Sequence, residues 1–254
     1  MKKNLFSVAT LASVCFIGSA NAALVDLSTW TSEGKGTWDF SADNNSVVQT
    51  INSYPTVFFN GEDSQNQQLS ADITVNTSGD DDFIGFVLGY NTGDLNNDAA
   101  DYLLIDWRQA EQNTAEAGLA ISRVTGAFTA PSASSEIVNS DFWTHVDGGI
   151  VEELARATNL GLTGWSDYTT YSFDLLFTSS LVEVYVNDIL ELSVSGSFSD
   201  GSFGFYNLSQ DNTIYSSVTQ QAVSTTEIPE PSSLAIFAVG LLGFAGYRKR
   251  NVKK

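Results

Sequence analysis

Three consecutive aspartates, Asp80, Asp81 and Asp82, are the residues of this chain whose types and spacing suggest the clearest chemistry. Adjacent carboxylates repel one another, and binding of a hard cation reverses that unfavourable free energy. Calcium binds about six to eight oxygen atoms, which come from carboxylates, carbonyls and water. The sequence therefore predicts a calcium site in which Asp81 and Asp82 are leading ligands and Asp211, from a second polar loop, is a further partner. A solvated acidic turn is the alternative at this point.

A second acidic stretch, residues 94–101, only partly imitates a calcium-binding loop. Ala99 occupies the position at which such a loop requires a glycine for its sharp turn, and Ile105 occupies the position of the closing glutamate. We therefore interpret this stretch as a solvated loop.

The sequence contains no familiar catalytic constellation. Its single histidine, His145, cannot form a zinc site alone and is interpreted as a structural or surface residue. Glycoside hydrolases need two carboxylates close together. The spacing Glu-x-Asp-x-x-Glu does not occur, and Glu183 and Glu191 lie on the arms of a predicted hairpin, where acids commonly face solvent. We predict a protein without catalytic activity and keep a glycoside hydrolase as the less favoured alternative.

Short runs rich in Val, Ile, Tyr, Phe and Thr, separated by turn residues, must position these acids, and they indicate β-strands. The predicted strands are residues 47–51, 57–60, 69–75, 83–90, 102–108, 118–124, 171–177, 181–186, 189–194, 202–206 and 214–218. The pair Asn187 and Asp188 predicts a two-residue hairpin turn. Only residues 151–159 have helical spacing. The pattern predicts a single all-β domain, a β-sandwich, over residues 23–223.

The five tryptophans can serve either the core or a sugar site. Trp107 and Trp165 lie in strand-like surroundings and are expected in the core, because aromatic side chains bury large areas. Trp30, Trp38 and Trp143 lie in less regular sequence, from which they could stack on sugar rings. Core packing is the favoured expectation for these three as well.

The N-terminus has the features of a secretory signal peptide. Lys2 and Lys3 precede an apolar run, and Ala20 and Ala22 form an A-x-A cleavage site, so residues 1–22 are predicted to be removed. The only cysteine, Cys15, lies within this segment. The mature chain is therefore expected to be stable without disulfides.

The C-terminus, residues 228–254, combines the motif Pro229-Glu230-Pro231, an apolar run at 234–247 and a basic end, after a linker at 224–227. The apolar run is shorter than the roughly 20 residues that span a bilayer, so it predicts a weak membrane anchor with its basic end in the cytoplasm. This arrangement resembles the PEP-CTERM sorting signal of Gram-negative bacteria. The resemblance implies an apolar sorting helix, processing by an exosortase, and delivery to the cell surface or exopolysaccharide.

The exported part is strongly anionic. Of the 30 acidic residues, 28 lie in residues 23–226, together with four basic residues, which gives a net charge of −24. Such a surface repels nucleic acid and anionic lipid and attracts cations. We therefore exclude nucleic-acid binding.

Several blocks occur in the same order as in the thrombospondin C-terminal domain, which this chain resembles. They are residues 80–90, Asp106-Trp107-Arg108-Gln109, residues 164–171 and residues 204–212. The resemblance implies a concanavalin-type, legume-lectin-like jelly roll and adds to the prediction of calcium. The calcium-wire repeats, EGF-like modules and cysteines of thrombospondins have no counterpart here, so partners that depend on them do not transfer.

The sequence thus predicts an exported, non-catalytic adhesion module of the cell surface or exopolysaccharide matrix, with calcium as its cofactor. Its expected partners are an exosortase and a polysaccharide or surface glycan, and the membrane before processing. A glycan-binding lectin of the matrix and a structural matrix protein without a specific ligand remain alternatives.

Overall fold

The computed structural model describes residues 22–146 and 148–223, where alternating apolar residues form two seven-stranded sheets. The strands are Thr31–Gly34 (β1), Trp38–Phe40 (β2), Val47–Gln49 (β3), Thr56–Phe59 (β4), Gln67–Val75 (β5), Phe83–Tyr90 (β6), Tyr102–Arg108 (β7), Gly118–Val124 (β8), Val151–Arg156 (β9), Thr170–Phe177 (β10), Leu181–Val186 (β11), Ile189–Ser195 (β12), Ser202–Leu208 (β13) and Thr213–Ala222 (β14). The short helices are 3-10 turns at Leu27–Thr29, Asp94–Asn96 and Ser134–Asn139, and a single α-helical turn, Asp141–Thr144 (α1).

The strand order confirms the predicted β-sandwich. The first sheet has the order β1-β4-β13-β6-β7-β8-β9, and the second sheet has the order β12-β11-β10-β5-β14-β3-β2. Neighbouring strands run antiparallel throughout. The predicted bounds of β6, β7, β8 and β11 agree with the structure at both ends.

The main core lies between the sheets and is rich in aromatic rings. Alternate residues of β6, Ile84, Phe86 and Leu88, point into it because successive side chains of a strand face opposite sides. Phe205 and Tyr215 stack with ring centroids 4.4 Å apart. Each fully buried apolar side chain of this size contributes about 1.5–3 kcal/mol of transfer free energy.

The tryptophans are core residues, as expected. The main core takes Trp30, Trp38, Trp107 and Trp165. Trp143 belongs to a second core on the outer face of the first sheet, where a covering segment, residues 125–146, packs over the strands. Strands β6, β7 and β13 are therefore buried on both faces, and every one of their residues is buried.

The centre of the outer face of the second sheet, formed by β5 and β10, is polar. Neighbouring side chains of β5 and β10 bond to each other across it: Ser70 to Asp174, Ser172 to Asp72, and Thr74 to Thr170. This face therefore satisfies its hydroxyl and carboxylate groups with one another while it faces solvent.

Two parts of the strand prediction were wrong. Residues 151–156 form β9, an edge strand of the first sheet, although Val151, Leu154 and Ala155 have helical spacing. The helical spacing of these apolar residues was misleading. Leu154 is 37% exposed, so it is a surface residue of the strand and not part of a buried apolar helix face. Strands β1 and β2 were not predicted, since they are short, and all but one of their residues are at least partly exposed.

The Asn187 and Asp188 hairpin is confirmed. Both residues have positive φ, 49° and 65°, as a two-residue turn of the favoured twist requires. In the described residues no helix is long and apolar enough to cross a membrane. The apolar run at 234–247, the linker at 224–227, Pro229-Glu230-Pro231 and Ala20 lie outside the described residues.

Candidate metal centre

Three loops meet at one end of the sandwich because the strands that flank them pair in register. Thr213, at the start of β14, lies opposite Gln49 of β3 and Val75 of β5. Leu208, at the end of β13, lies opposite Phe83 of β6. The loops at 50–55, 76–82 and 209–212 therefore share this end, and each supplies polar side chains.

The carboxylates of Asp80, Asp81 and Asp82 converge there. One oxygen atom of each lies within 4.8 Å of the others. Asn52, from the loop at 50–55, donates a hydrogen bond to Asp80, and the Ser209 hydroxyl donates to Asn52 Oδ1 at 3.1 Å. All three loops thus contribute polar side chains to one hydrogen-bonded network around the carboxylates.

A buried arginine lies behind this cluster. Arg108 of β7 is fully buried, and its Nη2 atom is 2.8 Å from Asp82 Oδ1 and 3.9 Å from Asp81 Oδ1. Its guanidinium lies 4.8 Å from the Phe83 ring centroid and 4.4 Å from that of Trp143. One cation faces three carboxylates, so the cluster keeps a surplus of negative charge.

The pKa values reflect that surplus. Burial, followed by the charge of Asp80, raises the pKa of Asp82 to about 7 although Arg108 opposes the shift. Burial also raises the pKa of Asp80, and the charges of Asp81 and Asp211 add to it. The cluster disfavours its own ionisation, and a bound divalent cation would relieve that cost.

The residues present fit calcium. Carboxylate oxygens from Asp80, Asp81 and Asp82, with amide and hydroxyl oxygens beside them, are the hard ligands that this ion prefers. Asp211 lies on the adjoining loop and acts on the cluster through its charge, but its carboxylate is not within the 4.8 Å group. The three aspartates could be predicted to lie together because they are consecutive in the sequence.

Sequence reasoning missed Arg108 and Asn52. Arg108 is one of only four basic residues in residues 23–226, and such scarcity was the one available signal. Its position opposite Phe83, the residue after Asp82, follows from the register of β6 and β7. Asn52 gave no signal, since an asparagine in a loop is common.

Calcium affinity is expected to rise about tenfold between pH 6 and pH 8. Asp82, with a pKa of about 7, must lose its proton before its carboxylate can bind a cation. Calcium binding near pH 7 should therefore release protons. Titration calorimetry in two buffers of different ionisation enthalpy measures both effects. Equal heats in the two buffers, with an affinity independent of pH, would contradict this prediction.

Two other acids differ from the sequence expectation. Asp94 is only 3% exposed and accepts hydrogen bonds from the Asn91 backbone N–H and the Asn97 amide, so the stretch at 94–101 is not wholly solvated. Glu191 is also 3% exposed and accepts backbone N–H bonds from Asn159 and Leu160, so it is not a solvent-facing hairpin acid. Both carboxylates stabilise loops.

Solved structures share this fold. The carbohydrate-binding module CBM66 from Bacillus subtilis aligns with a TM-score of 0.52 and 15% identity, covering 76% of this chain and 95% of that one. The VIP36 exoplasmic/lumenal domain in its Ca2+/Man3GlcNAc-bound form aligns with a TM-score of 0.52 and 10% identity, covering 84% of this chain and 92% of that one. At these identities the likeness concerns the fold alone.

Sequence relatives include animal thrombospondins and a cartilage oligomeric matrix protein. Thrombospondin-2 of Gallus gallus is 26% identical over 202 residues, which is 70% of this chain and 16% of that protein. Thrombospondin-3 of Homo sapiens is 27% identical over 72% of this chain and 20% of its own length. For the cartilage oligomeric matrix protein of Bos taurus the values are 27%, 72% and 25%. The chain thus spans a quarter or less of these relatives.

Two family models match the chain in succession. The model described as thrombospondin C-terminal region matches residues 33–223, nearly the whole sandwich. The PEP-CTERM protein-sorting motif matches residues 227–250 and indicates export. The chain belongs to the thrombospondin C-terminal region family and carries a PEP-CTERM sorting motif.

Proposed function

We propose that this protein is exported, held at the cell surface or in the exopolysaccharide matrix of a Gram-negative bacterium, and binds polymer there without catalysis. The observation that carries the proposal is a thrombospondin C-terminal sandwich joined to a sorting motif in one chain. Two proteins with the same fold, a carbohydrate-binding module and a domain bound to Man3GlcNAc, favour a glycan as the polymer.

Calcium has a structural part in this proposal. Asp80, Asp81 and Asp82 would hold the ion, with Asp211 adding negative charge beside them. The ion would neutralise the surplus charge and fix the three loops at that end of the sandwich. Their oxygen atoms and exposed side chains would then present one ordered rim to a polymer.

Export and anchoring complete the proposal. Cleavage after Ala22 would release residues 1–22, and an exosortase would act near Pro229-Glu230-Pro231. The sandwich at 23–223 would then be left outside the inner membrane with no cysteine and a net negative charge. Repulsion between copies favours their separation along the polymer.

Binding to the exopolysaccharide of the producing strain tests this function. The purified secreted protein is expected to sediment with the polymer in millimolar calcium and to stay in solution with a chelator. Asp81→Asn should lose this binding, whereas Asp188→Asn, the same change at the exposed hairpin turn, should keep it. A wild-type protein that never sediments, or that releases reducing ends from the polymer, contradicts the proposal.

A further inference from the structure

A cavity of about 300 Å³ lies beside the metal centre, at the same end of the sandwich. Three segments line it: the loop at 50–55, the loop at 209–212, and the 3-10 turn Ser134–Asn139 of the covering segment. The lining residues are Asn52, Ser53, Tyr54, Ser134, Ile137 and Ser209. The cavity therefore joins the loops of the metal centre to the covering segment.

The polar side chains of this lining keep surface that a guest can reach. Asn52 and Ser134 are exposed, and Ser53 and Ser209 are partly exposed. Asn52 uses one amide N–H for Asp80 and accepts a hydrogen bond from Ser209, so its second N–H is left for a guest. Hydroxyl groups both donate and accept, so the lining suits a guest that is itself rich in hydroxyls.

One side of the cavity is apolar. The Tyr54 ring packs against Phe128 with centroids 5.7 Å apart, and its hydroxyl donates to the Pro131 carbonyl at 3.4 Å. Ile137 is 9% exposed and belongs to the second core. These contacts hold the apolar side in place. An aromatic ring beside hydroxyl groups matches a sugar ring, which has apolar C–H groups on its faces and hydroxyls at its edge.

None of the six lining residues is charged. An ion that entered the cavity would lose water without gaining a counter-charge from the lining. Two carboxylates lie outside the lining, that of Asp80, to which Asn52 bonds, and that of Glu136 in the 3-10 turn. Together with the net negative charge of the domain they oppose the entry of an anion. The cavity therefore favours a neutral guest.

Two lining residues also belong to the hydrogen-bonded network of the metal centre. Asn52 donates to Asp80, and the Ser209 hydroxyl donates to Asn52. The Ser209 backbone N–H also donates to the Ser53 carbonyl at 2.7 Å. Calcium held by the aspartates would fix both loops and, with them, the lining of the cavity. Calcium and the guest are therefore expected to strengthen each other's binding.

We propose that this cavity binds one neutral sugar unit, and that calcium in the metal centre tightens the binding. Asn52, Ser134 and Ser209 bond to the sugar hydroxyls, and Tyr54 and Ile137 contact its C–H groups. The volume is at the lower end of the roughly 300–1,000 Å³ of ligand pockets, so the cavity suits a single unit and not a longer segment. The inference rests on the proposed function for the polymer that supplies the unit.

Saturation-transfer NMR at pH 8 with neutral methyl glycosides of glucose, galactose, mannose and N-acetylglucosamine tests this site, with methyl glucuronide as the charged comparison. At least one neutral glycoside should bind the secreted protein, and millimolar calcium should raise its affinity at least about fivefold. Asp81→Asn should remove this effect of calcium. Ser134→Trp, which fills the cavity from an exposed position, should abolish binding. Ser135→Trp, the same change one residue further along the turn and outside the lining, should bind like the wild type.

Backbone amide shifts of the wild type during the same titration give a measurement that needs no variant. The largest changes are expected at residues 52–54, Ser134 and Ser209. The site is overturned if no neutral glycoside binds, if the charged glycoside binds better, if Ser134→Trp binds unchanged, or if the shift changes centre outside the lining. An affinity that does not change with calcium overturns the coupling to the metal centre.

Polymer sedimentation separates this inference from the proposed function. Glycoside binding in the cavity without polymer binding contradicts the proposed function and supports the cavity. Polymer binding without glycoside binding supports the proposed function and overturns the cavity.

Discussion

Replacement of Arg108 by methionine is expected to lower the free energy of unfolding by about 3–5 kcal/mol, because it leaves the buried Asp82 carboxylate without its cation. The guanidinium also donates to the Ala110 carbonyl and to Gln112 Oε1, and those bonds would be lost as well. Methionine replaces the aliphatic stem of the arginine side chain and removes the guanidinium, so the loss includes its charge and its hydrogen bonds. Urea unfolding at pH 8, where Asp82 is mostly ionised, gives the measurement.

Arg123 provides the matched control. It pairs with Asp101 at 2.6 Å, but both side chains are more than a third exposed, so Arg123→Met should cost no more than about 1 kcal/mol. Adding Asp82→Asn to Arg108→Met should restore part of the lost stability, since the unpaired charge disappears. Equal losses for the two arginine variants would show that Arg108 is not the buried counter-ion described above.

Calcium at one hundred times its dissociation constant is expected to raise the free energy of unfolding by about 2.7 kcal/mol, because the ion binds the converged carboxylates of the folded state. For a domain of this size that shift corresponds to several degrees in melting temperature. Scanning calorimetry across a calcium series measures it directly.

Asp81→Asn should remove most of this calcium dependence while the variant itself stays folded, since Asp81 is the partly exposed member of the cluster, at 36%. Asp188→Asn serves again as the control, because it removes one carboxylate from an exposed turn outside the cluster. A wild-type melting temperature that does not change with calcium would contradict the calcium site.

The central strands were predictable because composition and burial agree there. Every residue of β6 and β7 is buried. Their apolar runs therefore predict strands without any knowledge of which side chains face which side of the sheet. The edges were not predictable. Strand β9 carries Leu154 on an exposed side, and its apolar spacing therefore imitates a helix. The spacing of apolar residues along a chain reflects which side chains are buried. Edge strands bury few side chains, so their spacing does not identify them as strands.

Only those parts of the metal centre that are neighbours in the sequence could be predicted. Asp80, Asp81 and Asp82 are neighbours in the chain, so their convergence needed no tertiary information. The pairing of Asp82 with Arg108 spans 26 residues and depends on strand register. Glu191 shows the same limit, since its bonds reach loop residues 32 positions away.

Copies of this domain are expected to approach one another without adhering through the centres of their second sheets. The hydroxyl and carboxylate groups of Ser70, Asp174, Ser172 and Asp72 are already bonded to one another, so a neighbouring copy has little to offer them. Apolar patches drive most unwanted association, and β5 and β10 at the centre of this face carry polar groups in their place.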